Sequence, residues 1–335
     1  MIKVAINGFG RIGRIAFRQM ITSTDFDIVA INTLSYPEEM AYLLKYDTDH
    51  GTFHEDEISF DEKNIIIKGE KFVPTFAEKD PSVLPWKDLD VDVVLECTGK
   101  FTDVEGAMKH IQAGAKKVLI SAPGKGDMKT IVAGVNDDIL DGTEQVVSAA
   151  SCTTNCLAPV LKVITDYIKV KKGFMTTVHA YTNDQATLDI SHDKGIYSRR
   201  GRACAMNIIP ASTGAASAIG KVIPELEGKL DGIALRVPVS DGSVVDLSLE
   251  LERNTTKDEI NELFKMHVND VLAYTDQPIV SCDVKNRKCG SLVDGLLTNV
   301  INTPNGQMVK IIAWYDNEYG YTAQMLRTAK AMFKR

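Results

Sequence analysis

A glycine-rich turn near the start of the chain constrains the fold more than any other feature of the sequence. The apolar run Val4-Ala5-Ile6 leads directly into Gly8-Phe9-Gly10-Arg11-Ile12-Gly13, and a segment of helical character follows to about Met20. A glycine fingerprint between a strand and a helix is typical of dinucleotide sites. Gly8 permits the tight turn, Gly10 lets backbone N–H groups approach a pyrophosphate, and Gly13 allows close helix–strand packing. The alternative interpretation is a glycine-rich turn that binds no ligand.

Short apolar runs recur through the first 150 residues. Phe26 to Ile31 predicts a second strand ending at Asn32, and further strands are predicted at Val93–Cys97, Lys117–Ile120 and Val146–Ser148. Helical stretches separate some of these runs. Apolar strands that alternate with helices indicate a parallel sheet covered on both faces.

The pattern changes beyond residue 150. Four apolar residues alternate with polar ones between Val245 and Leu251, which predicts a strand with one wet face, as in antiparallel sheets. Met308 to Trp314 is another predicted strand. Thr256 to Glu259 resembles a capping box, and apolar residues follow at helical spacing: Ile260, Leu263, Phe264, Val268, Val271 and Leu272. We predict a helix there, with His267 inside it, and a last helix from Tyr321 to Arg335.

Composition excludes several classes of protein. The 335 residues suggest about two domains, and 38 basic against 45 acidic residues give a net charge of −7, which disfavours nucleic-acid binding as the main activity. No apolar run approaches the ~20 residues that span a bilayer, and the first residues lack the features of a secretory signal. The six cysteines form no Cys-x-x-Cys pair and no zinc-binding spacing. We therefore expect a cytoplasmic protein with reduced thiols, no metal site and no membrane partner.

The end of the second strand departs from the pattern of NAD-specific sites. Such sites usually place Asp or Glu there, bonded to the adenosine ribose. This chain has Asn32-Thr33-Leu34-Ser35 instead, so the carboxylate that repels a 2′-phosphate is missing. The site is predicted to be permissive, and the alternative is an NAD enzyme that tolerates Thr33.

The stretch from Ser148 to Cys156 predicts a nucleophile. A strand runs into small polar residues and then into a helical pattern from Leu157 to Ile168, so Cys152 is expected near a helix N-terminus, where the dipole favours thiolate. Cys156, four residues on, is interpreted as a buried apolar residue. A thiolate nucleophile needs a partner that handles protons. Among six histidines we select His179, at the end of an apolar strand, and interpret His110 and His267 as structural.

The sequence closely resembles phosphorylating glyceraldehyde-3-phosphate dehydrogenases along essentially its whole length. The motifs that carry the resemblance are INGFGRIGR at 6–14, LLKYD at 43–47, ECTG at 96–99, ISAP at 120–123, SAASCTTNC at 148–156, HAYTNDQ at 179–185, IIPASTGAA at 208–216, LRVPV at 235–239, SVVDL at 243–247 and WYDNE at 314–318. The resemblance implies an α/β fold with a Rossmann-type parallel-sheet domain (1–150 plus 317–335) and an α+β catalytic domain with a mixed, largely antiparallel sheet (151–316). It also implies a homotetramer.

The same resemblance implies a reaction. Cys152 attacks the aldehyde of glyceraldehyde 3-phosphate, His179 acts as the base during hydride transfer to NAD or NADP, and inorganic phosphate cleaves the resulting thioester. The implied phosphate-binding residues are Ser151, Thr153, Thr213 and Gly214 for the attacking phosphate, and Thr182 and Arg236 for the substrate's own phosphate. Arg200 is a further candidate, with Arg199 and Arg202 as competitors. The implied cofactor residues are Gly8, Gly10, Arg11, Ile12, Gly13, Asn32, Thr33, Lys79, Thr98, Ser121, Ser191, Asn317 and Tyr321.

Two departures from the NAD-specific family pattern bear on the cofactor. Thr33 stands where that pattern has Asp, and Ser191 stands where many members have Pro. Lys79 adds a positive charge where many members have Arg. We therefore hypothesise appreciable use of NADP. Two other functions remain open: an erythrose-4-phosphate dehydrogenase that releases a free acid, and a dinucleotide-binding or interaction protein that has lost catalysis.

Overall fold

A computed structural model describes residues 1–304 and 306–333. The chain divides into two compact units. One consists of 1–133, 137–151 and the segment from Thr322, and the other of 134–136 and 152–321. In the described residues no helix has both the length and the apolar character needed to cross a membrane.

The first unit is built on a nine-stranded sheet. Its strands are β1 (Ile2–Asn7), β2 (Phe26–Asn32), β3 (Ile58–Phe60), β4 (Asn64–Ile67), β5 (Lys71–Phe76), β6 (Val93–Glu96), β7 (Lys117–Ile120), β8 (Lys129–Thr130) and β9 (Val146–Ser148). Their order is β3-β4-β5-β2-β1-β6-β7-β9-β8. All pairs are parallel except β3–β4 and β4–β5. The helices within residues 1–151 are α1 (Arg11–Ile21), α2 (Pro37–Lys45) and α3 (Val104–Gln112).

The order of the strands creates a switch point at β1. The chain leaves β1 through α1 to reach β2 on one side, whereas β6 pairs with β1 on the other side. In open parallel sheets, ligands bind outside the carboxyl ends of the strands at such a point. Two buried apolar clusters support this sheet: one includes Ile6, Phe17 and Met325, the other Trp86 and Val94.

The second unit carries a mixed sheet. Its elements are α4 (Cys152–Tyr167), β10 (Val170–Ala180), β11 (Ile209–Ser212), α5 (Ala215–Val222), β12 (Leu230–Val237), β13 (Ser243–Leu251), α6 (Lys257–Met266), β14 (Leu272–Thr275), β15 (Ser291–Asp294), β16 (Asn299–Thr303) and β17 (Gly306–Tyr315). The order is β11-β12-β10-β13-β17-β15-β14, with β16 beside β17. Only β10–β12 and β14–β15 are parallel. The predicted fold class, a parallel-sheet domain plus a mixed, largely antiparallel one, is confirmed.

The alternation along β13 is confirmed residue by residue. Val245, Leu247 and Leu249 are fully buried, and the polar residues between them are only partly covered. The buried side faces α4, which packs on β13 and β17. Burial of one face therefore fixes the register of this strand.

Two helix ends differ from the sequence predictions. α6 begins as predicted, with the Thr256 hydroxyl accepting from the N–H of Glu259, but it ends at Met266. The predicted continuation to Leu272, with His267 inside the helix, is wrong. Asn269 Oδ1 accepts from the N–H groups of Val271 and Leu272 at 2.7 and 3.0 Å, and this local turn competes with the helix. The last helix, α7, spans Tyr319–Ala331, and the predicted residues 334 and 335 lie outside the described chain.

Candidate active site

Cys152 is the first residue of α4, as the sequence predicts. Its position places the thiol at the helix N-terminus, where the first backbone N–H groups have no helical acceptor. Cys156 lies one turn further and is fully buried, with its Sγ 3.8 Å from the carbonyl oxygen of Ala313. Burial raises the pKa of the Cys156 thiol far above its ordinary value. This thiol is therefore a packing group, in agreement with the sequence interpretation.

His179 lies beside this thiol. It is the penultimate residue of β10 and is only 3% exposed. Its Nε2 atom is 3.3 Å from Sγ of Cys152, a hydrogen-bonding distance for sulfur. A nucleophile within hydrogen-bond reach of a proton-accepting side chain is the arrangement that covalent catalysis requires. The structure thus brings together Cys152, which the sequence predicts as the nucleophile, and His179, which it predicts as the partner that handles protons.

Arg236 approaches the other side of the imidazole. β12 runs parallel to β10 with Arg236 in register with His179. Arg236 Nη1 lies 2.7 Å from His179 Nδ1, 2.7 Å from the carbonyl oxygen of Ala180 and 3.3 Å from Thr182 Oγ1. Its Nε atom is buried and has no hydrogen-bond partner in the described chain. One edge of the guanidinium is therefore engaged, and a buried donor remains for an anion.

Burial shifts the pKa values of both His179 and Cys152. Burial, with a further contribution from the charge of Arg236, lowers the pKa of His179 to about 3, so the imidazole is neutral at ordinary pH. Burial also raises the pKa of Cys152, although the charge of Arg236 and hydrogen bonds from the backbone N–H groups of Thr153 and Cys152 act in the opposite direction. The sequence analysis expects the helix N-terminus to favour the thiolate, but the loss of solvent outweighs that effect, because burial disfavours the charged form.

A chain of hydroxyl groups adjoins Cys152 and His179. Tyr315, 2% exposed, places its OH 2.9 Å from Thr153 Oγ1 and 2.8 Å from Thr177 Oγ1. Thr177 donates to the carbonyl oxygen of Val244 at 3.2 Å. Each hydroxyl has one proton, so Tyr315 donates to Thr177 and accepts from Thr153. The ring of Tyr315 also contacts that of His179 edge-on, with centroids 5.9 Å apart. Sequence reasoning missed Tyr315 as a site residue, although the WYDNE motif contains it.

A cavity of about 670 Å³ lies in the first unit, at the switch point of its sheet. The residues that line it come from the glycine turn, the end of β2 and the segments after β5 and β6: Asn7, Gly8, Phe9, Gly10, Asn32, Thr33, Leu34, Ser35, Glu78, Lys79, Cys97, Thr98, Lys100 and Phe101. Six of the predicted cofactor residues are among them. Burial raises the pKa of Cys97 to about 12, so this cysteine is not a second nucleophile.

The glycine turn fits a dinucleotide. Gly8 has a φ of +95°, and a Cβ there would lie 2.7 Å from the backbone nitrogen of Thr98. A Cβ at Gly13 would lie 2.1 Å from the carbonyl oxygen of Gly8, so α1 packs on the turn only without a side chain. At Gly10, by contrast, a Cβ would meet no described atom within 4 Å. The turn is therefore closed where the backbone packs and open where a pyrophosphate would approach.

Comparison with known proteins agrees with this geometry. Residues 2–104 match the model "Glyceraldehyde 3-phosphate dehydrogenase, NAD binding domain", and residues 151–317 match the model of the C-terminal domain of the same enzyme. The chain is 54% identical over 334 residues to glyceraldehyde-3-phosphate dehydrogenase of Clostridium pasteurianum, covering 100% of this chain and 99% of the relative. It is 50% identical over 335 residues to that of Streptococcus pyogenes, again over 100% and 99%.

The chain belongs to the glyceraldehyde-3-phosphate dehydrogenase family. The resemblance stated from the motifs is thereby confirmed, and so is NAD(P) as the cofactor, since the matched domain is an NAD-binding one. A third relative, from Clostridium acetobutylicum, is 54% identical over 328 residues, covering 98% of this chain and 97% of its own.

Two of the residues predicted to hold the phosphate of the substrate, Thr182 and Arg200, lie in a polar cluster after β10. Thr182 donates to Asp184 through a short hydrogen bond, and the other carboxylate oxygen of Asp184 pairs closely with Arg200. Arg202 pairs instead with Asp189 at 3.0 Å. Among the competing arginines, this favours Arg200 as the one that joins Thr182. Asp184 was not selected from the sequence, although it lies in the HAYTNDQ motif.

The remaining predicted phosphate-binding residues lie in two short connections, one that leads into α4 and one between β11 and α5. Ser151 immediately precedes Cys152 and is half-buried. Thr213 and Gly214 lie between β11 and α5, where Gly214 is the N-cap residue and Thr213 Oγ1 accepts from the N–H of Ala215 at 3.2 Å. α5 in turn packs against α4.

The remaining predicted cofactor residues lie partly in the first unit and partly in the second. Arg11 opens α1 and forms an ion pair with Asp47. Ser121 follows β7 directly and is partly buried. Ser191 is exposed in the segment between β10 and β11. Asn317 and Tyr321 lie in the second unit, where Asn317 Oδ1 accepts from Ser243 Oγ at 2.6 Å and Tyr321 is buried. Ile12 lies in α1.

Proposed function

We propose that the protein catalyses the reversible oxidative phosphorylation of glyceraldehyde 3-phosphate to 1,3-bisphosphoglycerate, with reduction of NAD(P). The observation that carries this proposal is the 3.3 Å contact between Cys152 Sγ and His179 Nε2 at the start of α4. The sulfur forms a bond to the aldehyde carbon as its S–H bond breaks, and the thiol proton passes to the carbonyl oxygen to give a thiohemiacetal. His179 then accepts that hydroxyl proton as the carbon is oxidised to a thioester.

The bound cofactor supplies the hydride acceptor for this oxidation. Gly8 and Gly10 would hold its pyrophosphate, and Asn317 matches the family position that bonds the nicotinamide carboxamide. An oxygen of inorganic phosphate then attacks the thioester carbon and expels the Cys152 thiolate, which leaves an acyl phosphate. Ser151, Thr153, Thr213 and Gly214 would bind that phosphate. Thr182, Arg200 and Arg236 would hold the phosphate of the substrate, because a guanidinium binds phosphate through paired donors.

A steady-state assay with and without inorganic phosphate tests the reaction. The proposal expects reduction of NAD(P) with glyceraldehyde 3-phosphate to need phosphate, and full alkylation of Cys152 by iodoacetamide to abolish it. Sustained turnover without phosphate, with this aldehyde or with erythrose 4-phosphate, would identify a hydrolytic dehydrogenase instead. Activity that survives complete alkylation of Cys152 would exclude the mechanism.

We also propose that the enzyme uses NADP appreciably. The lining of the cavity supports this, because Thr33 stands where NAD-specific sites have an acidic residue, and two lysines, Lys79 and Lys100, outweigh the one carboxylate, Glu78. Steady-state kinetics with each cofactor tests the proposal. An advantage of NAD over NADP of a hundredfold or more in kcat/KM would overturn it.

A homotetramer and a cytoplasmic location complete the proposal. Three large apolar side chains, Phe174, Ile233 and Met308, are exposed on strands of the second sheet, which supports association between copies. All six cysteines are free thiols, which is typical of a reducing compartment. Light scattering on the purified protein tests the oligomeric state, and fractionation of the source cells tests the location.

A further inference from the structure

A buried polar network beneath the dinucleotide cavity takes no part in the chemistry at Cys152. Its members Asn7, Asn32 and Glu96 end three neighbouring strands, and His110 lies under them in α3. Each is at most 4% exposed. A buried carboxylate is costly, and an apolar residue of similar size often stabilises a core as well or better. The network therefore needs an explanation other than packing.

The direction of every hydrogen bond on one side of Glu96 is fixed. Trp86 Nε1, which only donates, lies 2.9 Å from His110 Nδ1. The neutral ring therefore carries its proton on Nε2 and donates it to Glu96 Oε2 at 3.1 Å. Asn7 Nδ2 donates to the same oxygen at 2.5 Å, which leaves Asn7 Oδ1 to accept from Asn32 Nδ2 at 2.7 Å. Neither donor to Glu96 Oε2 can change role without breaking another buried bond.

The other side of Glu96 reaches the cavity wall. Glu96 Oε1 accepts from the backbone N–H of Thr98 at 2.8 Å and, over a shorter distance, from its hydroxyl. The Thr98 hydroxyl itself accepts from the N–H of Lys100 at 3.1 Å, so its proton belongs to the bond with Glu96. Thr98 and Lys100 both line the cavity. Four donors thus converge on one carboxylate, and two of them belong to a residue that faces the cofactor.

We propose that Glu96 is a positioning residue for the dinucleotide. It holds Thr98, and with it the segment that walls the cavity, in the geometry that binds NAD(P), and it acts through Thr98 without touching the cofactor. A carboxylate is required because no neutral side chain accepts four hydrogen bonds through two oxygens. This inference rests on the cofactor part of the proposed function and deepens it.

The variant Glu96→Gln tests the proposal. The new amide nitrogen cannot face Asn7 and His110, since both are donors of fixed direction, so it faces Thr98. There it leaves the Thr98 N–H without an acceptor and turns the hydroxyl proton away. We expect Kd for NAD and for NADP, measured by calorimetry on the cofactor-free enzyme, to rise about tenfold. The rate at which iodoacetamide alkylates Cys152 should stay within about twofold of wild type.

A double-mutant cycle separates positioning from loss of stability. If Glu96 acts through Thr98, adding Glu96→Gln to Thr98→Val should raise Kd by clearly less than it does in the wild-type background, because only the backbone N–H at position 98 still depends on Glu96. Ile65→Ala, which opens a cavity in the same core away from the lining residues, should lower Tm and leave Kd unchanged. Should Glu96→Gln fail to fold, Glu96→Asp keeps the charge but withdraws the oxygens, and its Kd should also rise.

Two results would overturn the proposal alone: a folded Glu96 variant with the wild-type Kd, or effects of the Glu96 and Thr98 variants that multiply. Failure of the wild-type chain to bind either nucleotide would overturn the proposed function together with this inference. Wild-type binding with turnover, and an unchanged Kd in the Glu96 variants, would leave the proposed function intact.

Discussion

Arg236 donates from Nη1 to the Nδ1 atom of His179 over 2.7 Å. A guanidinium has no acceptor, so Nδ1 carries no proton and the neutral ring keeps its proton on Nε2, the atom that faces Cys152. Nδ1 also lies 2.7 Å from the carbonyl oxygen of Ala180, an acceptor that would receive its proton in the other tautomer. The contact with Arg236 therefore holds His179 in the tautomer that donates to sulfur. To act as a base at Nε2, the ring must change tautomer or release its proton.

Removal of this guanidinium should move the ring proton. In Arg236→Leu we expect His179 to carry its proton on Nδ1, donated to the carbonyl oxygen of Ala180, because that acceptor is then the only partner of Nδ1. The ¹⁵N shifts of histidine-labelled protein distinguish the two tautomers, with His179→Gln for assignment. Arg202→Leu, which removes an exposed partner of Asp189, is the control and should keep the wild-type pattern. An Nδ1-protonated ring in the free wild-type enzyme would contradict the assignment.

Loss of the imidazole should lower the rate of oxidation far more than it lowers the affinity for either substrate. We expect His179→Gln to lower kcat by about 10²–10⁴, the usual contribution of a positioned general base, with little change in KM for either substrate. Cys152 should remain open to alkylation. His267→Gln, at the C-cap of α6 and outside the catalytic pair, provides the control. A kcat within threefold of wild type in His179→Gln would exclude His179 as the base.

His179 should also make the stability of the fold depend on pH. Burial and Arg236 lower its pKa from 6.5 to about 3. Below pH 6.5 the unfolded chain takes up a proton that the folded chain does not, so folding loses stability as the pH falls. Between pH 6.5 and 5 this amounts to about 2 kcal/mol. Urea unfolding should therefore show wild type losing about that much more than His179→Gln over this range. Parallel losses in the two proteins would contradict the shift.

The sequence predicts some parts of the site well and others not at all, for physical reasons. The glycine turn and the start of α4 are local features, and a short stretch of sequence contains all the information that specifies them. The contact between Tyr315 and Thr177 depends instead on β10, β13 and β17 being neighbours in one sheet, and these strands pair residues that are sixty or more positions apart in the sequence. Only the family motifs, which mark Tyr315 and Asp184 without stating a role, gave a signal for them.

The end of α6 shows a different limit. Val268, Val271 and Leu272 continue the apolar spacing of the helix, yet the side chain of Asn269 forms a turn that stops it. Leu272 is buried all the same, in a strand beside β15. Hydrophobic periodicity identifies residues that become buried but does not distinguish which element buries them.

The hydroxyl chain through Tyr315 should control phosphate binding. Thr153 donates its proton to Tyr315, so it can donate to phosphate only if the hydrogen bonds between Thr153, Tyr315 and Thr177 reverse their direction. In Tyr315→Phe this bond is lost, and we expect KM for inorganic phosphate to fall severalfold, while stability drops by about 1–2 kcal/mol. Thr177→Val should act in the same direction, because Tyr315 must then donate to Thr153. An increase in KM for phosphate in both variants would show that the chain aids binding as it stands.

The exposed apolar residues of the second sheet should decide the oligomeric state. Phe174 is 69% exposed although it lies in the middle of β10, a central strand. Exposure of so large a side chain there is explained if a second copy of the chain covers it. A charge at this position would then have to be buried without a partner, so Phe174→Glu should convert the proposed tetramer to smaller species in light scattering. Phe72→Glu, at a side chain 54% exposed on the edge hairpin of the first unit, is the matched control and should leave the mass unchanged. A tetramer that persists in Phe174→Glu at micromolar concentration would exclude this face as an interface.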